Sequence, residues 1–313
     1  MTMMKDRSLA TKMIFSTNNF LFLTGSSGFV GKNIISFFQG KYQIISFSRN
    51  QDIEITDKIV IHLAGKAHDL KNTSTPEEYY QVNTELTKKI YDSFLVSEAE
   101  VFITLSSVKA VADEVDGTLT EDAIPNPITH YGKSKLLAEQ YILSKAIPFG
   151  KRVYILRPCM IHGPGNKGNL NLLYNIVSKG FPWPLGQFSN FRSYLSIENL
   201  CFIIKELIER EDMPSGVYNV ADDAPLSTND VIQHIANSRG GTAKIWNLSK
   251  SFITALARMG DYLKLPLNSE RLQKLTESYV VSNEKIKTAI GKPLPVSSKD
   301  GLLTTFKSFS SNV

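Results

Sequence analysis

The chain has 313 residues, two cysteines and a formal net charge of +5. With 42% hydrophobic and 21% charged residues, it has the balance of a globular protein of one large or two ordinary domains, which excludes wholesale disorder. Two cysteines exclude a disulfide framework and a cysteine-rich zinc module, and the mild, scattered positive charge gives no nucleic-acid footprint.

Residues 1–18 read as a loose leader: Lys12 interrupts the apolar run 9–15, unlike a secretory signal. No apolar run reaches the ~18 residues of a membrane span. The expected setting is the reducing cytoplasm. Residues 20–24 are a short apolar run halted by glycine, a buried first strand. A helix follows at 32–38, then strands at 43–47 and 59–64. Residues 77–97 carry a helical period, 101–105 a strand, 131–144 a strong helix and 153–156 a strand. This alternation predicts an α/β, Rossmann-like doubly wound parallel sheet. The second half differs. Segments 163–168 and 180–186 are rich in breakers. A helix is expected at 197–209 and a strand at 217–220, where the chain returns to the sheet. Helices follow at 228–237, 250–263, 283–290 and 300–308. The expected division is a nucleotide-binding domain over 19–160 and about 191–220. A smaller, mostly helical substrate lobe takes 161–190 and 221–313.

The loop Thr24-Gly-Ser-Ser-Gly-Phe-Val-Gly31 joins the first strand to the first helix. Glycines there permit a tight turn and close backbone approach to a pyrophosphate, and the helix N-terminus favours negative charge. Gly25, Ser27, Gly28, Phe29, Val30 and Gly31 are therefore expected to hold a dinucleotide. The second strand ends Phe47-Ser48-Arg49-Asn50, with no acid at its tip for a ribose 2′-hydroxyl. Ser48 and Arg49 suit a 2′-phosphate, which favours NADP(H) and leaves NAD(H) open. Leu63, Ala64 and Gly65 are small or apolar residues over which a flat dinucleotide can pass. His62 and His68 have no carboxylate partner at metal spacing, so no metal is expected.

Tyr131-Gly-Lys-Ser-Lys135 opens a predicted helix, and residues four apart share a face. A lysine charge beside a phenol lowers its pKa, making it a usable acid or base. Ser106 and Ser107 close the strand 101–105, at the end where such sheets hold ligands.

Glycine loop, strand-end serine and Tyr-x-x-x-Lys, in that order, resemble the extended short-chain dehydrogenase/reductase family, the NAD-dependent epimerase/dehydratase group. Val82-Asn83 resembles the family's helix-four asparagine. Arg157-Pro158 with Gly163-Pro-Gly165 resembles its sixth-strand segment, and Asn190-Phe-Arg-Ser193 the segment that grips a nucleotide diphosphate. Leu105-Ser-Ser-Val-Lys109 and Pro184-Leu-Gly186 resemble the branch acting on nucleotide N-acetyl sugars in bacterial surface-polysaccharide synthesis. The resemblance implies Tyr131 as acid/base, Lys135 as its charge partner and ribose ligand, and Ser107 as the positioning hydroxyl. It adds Lys66, Asn83 and Pro158 to the cofactor site. Substrate contacts would come from Ser107, Val108, Lys109, Asn169 and Arg192. The implied activity is reduction of the 4-keto group of a UDP-2-acetamido-2,6-dideoxy-hexulose. The alternatives are a UDP-GlcNAc-type 4-epimerase and a non-catalytic NADP sensor. A dehydratase is disfavoured, because Val108-Lys109 stands where an acid pair commonly follows the serine. A homodimer through the helices at 77 and 131 is expected. Two departures stand out. Only nine residues separate Arg49 from Ile59, where the family inserts a strand and a helix, leaving Asp52 and Ile53 to line the adenine pocket. His162 stands where tyrosine is common.

Overall fold

The computed structural model describes residues 20–48, 51–67, 75–166, 168–264 and 268–310. The leader and Arg49 lie outside them. The first half alternates as the apolar pattern predicts: β1 (Phe20–Thr24), α1 (Phe29–Phe38), β2 (Gln43–Ser46) and β3 (Ile59–His62). Helix α1 begins three residues earlier than its apolar period suggests, because Gly28, in extended conformation, serves as its N-cap. The predicted helix 77–97 is three pieces: α2 (Pro76–Tyr79), a π-helical turn at Tyr80–Glu85, and α3 (Leu86–Val96). Then come β4 (Val101–Leu105), a 3-10 turn at Val108–Ala110, β5 (Thr118–Leu119), α4 (His130–Leu143) and β6 (Arg152–Pro158).

The second half runs β7 (Met160–His162), α5 (Asn169–Ser178), β8 (Phe191–Arg192), β9 (Tyr194–Ser196), α6 (Ile197–Glu209) and β10 (Gly216–Val220). It continues with β11 (Leu226–Ser227), α7 (Thr228–Ser238), α8 (Lys250–Leu263), α9 (Ser269–Thr276), β12 (Val280–Val281), α10 (Glu284–Ile290) and α11 (Ser298–Ser310). Helices α5 and α9 fall where none was expected.

Six strands form one sheet in the order β2-β1-β3-β4-β6-β10, every pair parallel. Strand alternation sends Leu21, Leu23, Ile61, Ile103 and Leu156 to one face, with α1 and α6. Phe22, Val60, Phe102 and Ile155 go to the other, with Ile90 and Phe94 of α3 and Ile142 of α4. Burial on both faces is why β3 reads as an unbroken apolar run. The return to this sheet is β10 alone. Strand β8 pairs with β11 and β9 with β7, in two small separate sheets. Among the described residues 51–57 there is no strand or helix, so β2 is the sheet's edge. Asp52 is exposed there, and Ile53 packs partly against the core. The strand order reverses between β1 and β3, and their C-terminal ends open the crevice where such sheets bind ligands.

Candidate active site

Gly25 lies in the left-handed region (φ +72°), and a Cβ there would sit 2.7 Å from the backbone of Leu63 and Ala64. Only glycine lets the loops after β1 and β3 approach this closely. A Cβ on Gly31 would come within 2.3 Å of the Gly25 carbonyl, so this glycine seats α1 on the loop. The first turn of α1 has no acidic residue and no side-chain cap, and Ser27 and Gly28 are exposed. Its N–H groups thus face the crevice as an anion cradle. Val30 is partly buried against the core, and Phe29 reaches toward Gly163. The residues fit a dinucleotide pyrophosphate.

The second wall is built around the start of α4. Asp113 accepts the N–H groups of Ile128 (2.6 Å) and Thr129 (3.2 Å) and the Thr129 hydroxyl (3.1 Å). Thr129 caps the helix by accepting the Gly132 N–H at 3.2 Å. Gly132 abuts the 3-10 turn after β4, where a Cβ would lie 2.3 Å from the Lys109 carbonyl oxygen. This close approach brings Tyr131 into hydrogen bond with Ser107. Ser107 also accepts the Lys109 N–H at 3.2 Å, and the Tyr79 ring meets Tyr131 edge-on at 6.3 Å. Burial holds the Tyr131 hydroxyl above the ordinary phenol range, with the Ser107 hydrogen bond pulling the other way. The lowering by Lys135 that the spacing suggests is therefore not what governs this phenol: burial dominates it.

One turn on, Lys135 donates from Nζ to the Leu105 carbonyl at 2.8 Å. Burial pushes its ammonium down to about 8, opposed by the nearby Glu139 carboxylate. A Cβ on Gly65 would lie 3.0 Å from that Nζ and 3.2 Å from Asn83 Oδ1, so Gly65, Asn83 and Lys135 converge. Asn83, fully buried in the π turn, accepts the Lys66 N–H (2.7 Å) and donates to the Lys66 carbonyl (3.1 Å) and Ser134 Oγ (3.0 Å). It thereby clamps the chain just past β3. The Lys66 ammonium pairs with Glu78. Ser106 Oγ, buried and without a hydrogen-bond partner, lines a small cavity with Asn83, Lys135 and Glu139.

The other expected site residues are spread over several elements. Val108 is 4% exposed and packs in the core. Pro158 is buried at the C-terminal end of β6, and Ser48 is exposed just past β2. Lys109 donates to the Asp113 carbonyl, and its ammonium sits 4.4 Å from the centre of the Tyr279 ring. Burial lowers its pKa, and it lies within electrostatic reach of Arg192 and Glu277. Arg192 is not an open phosphate fork. Its Nε donates to the Glu277 carbonyl (3.1 Å) and its Nη2 to Glu277 Oε1 (2.7 Å). Asn169 is exposed at the first turn of α5.

Several residues that matter to this geometry carry no sequence signal. Asp113, Gly132 and Tyr79 act through contacts across the chain. His62 proves to be a fully buried link. Thr87 donates to the Asn83 carbonyl (2.8 Å), so it accepts from His62 Nε2 (2.9 Å). The other ring nitrogen, Nδ1, then accepts from Thr24 Oγ1 (2.7 Å), which itself accepts the Ala64 N–H (3.0 Å). The glycine loop and the π turn are thereby tied through one neutral imidazole. Among the described residues no group of three metal-ligating side chains is found.

The model of the NAD dependent epimerase/dehydratase family matches residues 21–221. The chain belongs to that family. It is an enzyme of the extended short-chain dehydrogenase/reductase fold. The UDP-glucose 4-epimerase of Vibrio cholerae is 29% identical over 321 aligned residues, covering 92% of this chain and 95% of that one. Among solved structures, the Bordetella bronchiseptica enzyme WbmG in complex with NAD superposes with a TM-score of 0.72 at 16% identity, covering 96% of each chain. RMD from Pseudomonas aeruginosa, complexed with NADPH, gives 0.70 at 19% identity, covering 94% of this chain and 100% of that one. In this epimerase/dehydratase chain the match runs from the second residue of β1 to one residue past β10, so the family model takes in all six strands of the parallel sheet.

Proposed function

We propose that this epimerase/dehydratase-family enzyme reduces the 4-keto group of a UDP-2-acetamido-2,6-dideoxy-hexulose, with NADP(H) favoured, in surface-polysaccharide synthesis. The observation that carries the reading is the hydrogen bond between buried Ser107 and half-buried Tyr131 beside a glycine cradle, with Lys135 one turn away. A bound nicotinamide supplies the hydride. Gly25, Ser27, Gly28, Phe29, Val30 and Gly31 would hold its pyrophosphate, and Ser48 with Arg49 the 2′-phosphate. Leu63, Ala64, Gly65, Lys66, Asn83, Pro158 and Lys135 would line its path toward Tyr131. Tyr131 delivers the proton to the sugar oxygen, Ser107 holds that oxygen in line, and the Lys135 ammonium stabilises the phenolate left behind. Lys109, Arg192 and Asn169 orient the nucleotide side of the substrate, with Glu277 setting the Arg192 fork.

The Vibrio cholerae relative supports a second reading, a 4-epimerase of a UDP-GlcNAc-type sugar. The same protein groups serve both, and the neighbours with NADPH and with NAD match the two cofactor needs. One assay separates them. Loss of NADPH absorbance on mixing with the UDP-linked 4-keto sugar supports the reductase. Interconversion of UDP-GlcNAc and UDP-GalNAc without net cofactor consumption supports the epimerase. Neither reaction, with tight NADP binding, overturns both in favour of a sensor. Arg49→Asp is expected to weaken NADPH binding far more than NADH binding. Equal effects would remove the 2′-phosphate assignment. A homodimer through α3 and α4 would cover the exposed Val96, Leu137 and Leu143, and Leu137→Glu would then give a monomer in sedimentation.

A further inference from the structure

Glu139 lies four residues after Lys135 on α4, on the same side of the helix. Its side chain is 2% exposed, and both carboxylate oxygens accept from Arg157 on β6. The two residues do not pair directly: Lys135 donates to the Leu105 carbonyl, and the ion pair of Glu139 is with Arg157. Both line one cavity, together with Ser106, which has room for about one water molecule. Ser106 is 7% exposed, and its N–H is spent on the Leu156 carbonyl at 2.7 Å, but its hydroxyl has no partner. A buried hydroxyl in a polar cavity calls for one. The other titratable groups near Lys135 offer it no counter-charge. His62 on β3 is held neutral by burial, and Lys66, past β3, pairs with Glu78. Burial holds the Tyr131 phenol up, Tyr79 on α2 packs its ring on that phenol, and Arg157 is spent on Glu139. Glu139 is the carboxylate that acts on the Lys135 ammonium.

We propose that Glu139 is a positioning residue for the reaction: fixed by Arg157, it keeps the Lys135 ammonium charged through one water molecule seated on Ser106 Oγ in the shared cavity. A buried ammonium has lost most of its hydration, and an opposite charge in a medium of low dielectric offsets part of that loss. Water suits the link, because it can donate to the carboxylate while it accepts from a hydroxyl or an ammonium. The distance serves the chemistry. A carboxylate free to swing would grasp the ammonium and draw it off the cofactor and the phenol. Held by three hydrogen bonds from Arg157, Glu139 supplies its field and leaves the Lys135 donors free. The proposal rests on the reading of Lys135 as cofactor ligand and charge partner of Tyr131, and it holds equally for a reductase and an epimerase.

The test is a fluorescence titration of the full chain with NADPH, and with NADH in parallel, from pH 6 to pH 10. Affinity should fall as the pH rises and Lys135 loses its proton, and Lys135→Met should abolish that transition. In Glu139→Gln the midpoint is expected about one pH unit lower than in the parent, with affinity at pH 6 unchanged. Glu139→Asp keeps the charge and should hold the midpoint, although it disturbs the Arg157 pair as Gln does. A structural role alone would not separate the two variants. Ser106→Ala removes a hydroxyl that bonds to no protein group. It should lower the midpoint by about half as much, and it carries the test if Glu139→Gln does not fold. An unmoved midpoint in Glu139→Gln or in Ser106→Ala overturns the proposal, as does an equal loss of affinity at every pH. A transition that survives in Lys135→Met overturns the Lys135 reading itself, and the proposal with it.

Discussion

At Lys135 a requirement of the chemistry is set against stability. A buried ammonium held down to about 8 is one the folded state would rather not charge. Lys135→Met is therefore expected to abolish turnover without lowering the thermal midpoint at neutral pH, read from one assay and one melt. The linkage has a definite sign. Between about 8 and the ordinary 10.5 the unfolded chain binds the proton that the folded chain has lost, so stability rises with pH across that window. The rise should be absent from Lys135→Met. Cofactor affinity should move the other way, weakening above pH 8 as the charge disappears. Tyr131→Phe removes only the hydroxyl paired with Ser107. Turnover should fall by a factor of ~10²–10⁴ with cofactor binding retained in a fluorescence titration. Ser107, Tyr131 and Lys135 were legible because strand end and helix spacing announce them. Asp113 was not, since its work is done on two amides fifteen and sixteen residues away. The neutral role of His62 was hidden too, because its two partners come from two other elements, β1 and α3.

Helix α4 shows how an element is aimed. Gly132 is there because the Lys109 carbonyl leaves no room for a methyl group. Gly132→Ala must lift the helix start away from the 3-10 turn, separating Tyr131 from Ser107. Such overpacking costs ~1–3 kcal/mol, so a modest loss in melting temperature should accompany a much larger loss of kcat. A drop in both by the same free energy would show a structural role only. Helices with strong apolar periods, α6 and α8, matched their predicted bounds. Helix α5 was masked by the Gly- and Asn-rich segment before it. Helix α9 is short and polar, Ser-Glu-Arg-Leu-Gln-Lys-Leu-Thr, with Leu272 its buried anchor. The two-residue strands β5, β8, β11 and β12 have no pattern to read, because their partners lie far along the chain. The π turn was invisible for another reason: it inserts a register shift into a helix whose apolar period continues on both sides.

In the whole molecule, two buried polar links hold layers together. Arg157 on β6 makes three hydrogen bonds with Glu139 on α4, at 2.6–3.1 Å, with both side chains almost fully buried. Removing one partner strands the other charge, so Glu139→Gln should cost ~3–5 kcal/mol in urea unfolding. The second link sets acid tolerance. Burial holds His62 down to about 3, against an ordinary 6.5. Between these values the unfolded state takes up a proton that the folded state refuses, so stability declines as the medium is acidified from 6.5 toward 3, by about 1.4 kcal/mol per pH unit at most. His62→Gln should flatten that decline when urea midpoints at pH 7 and pH 4.5 are compared.

The sheet's border at β2 has its own implication. With no strand beyond it among the described residues, four residues, Gln43 to Ser46, present their outer backbone groups to solvent. Such a margin is a template on which foreign chains can polymerise. Its brevity is the safeguard. Four residues offer too few rungs to grip another polypeptide, and lengthening this margin would trade solubility for fibre formation.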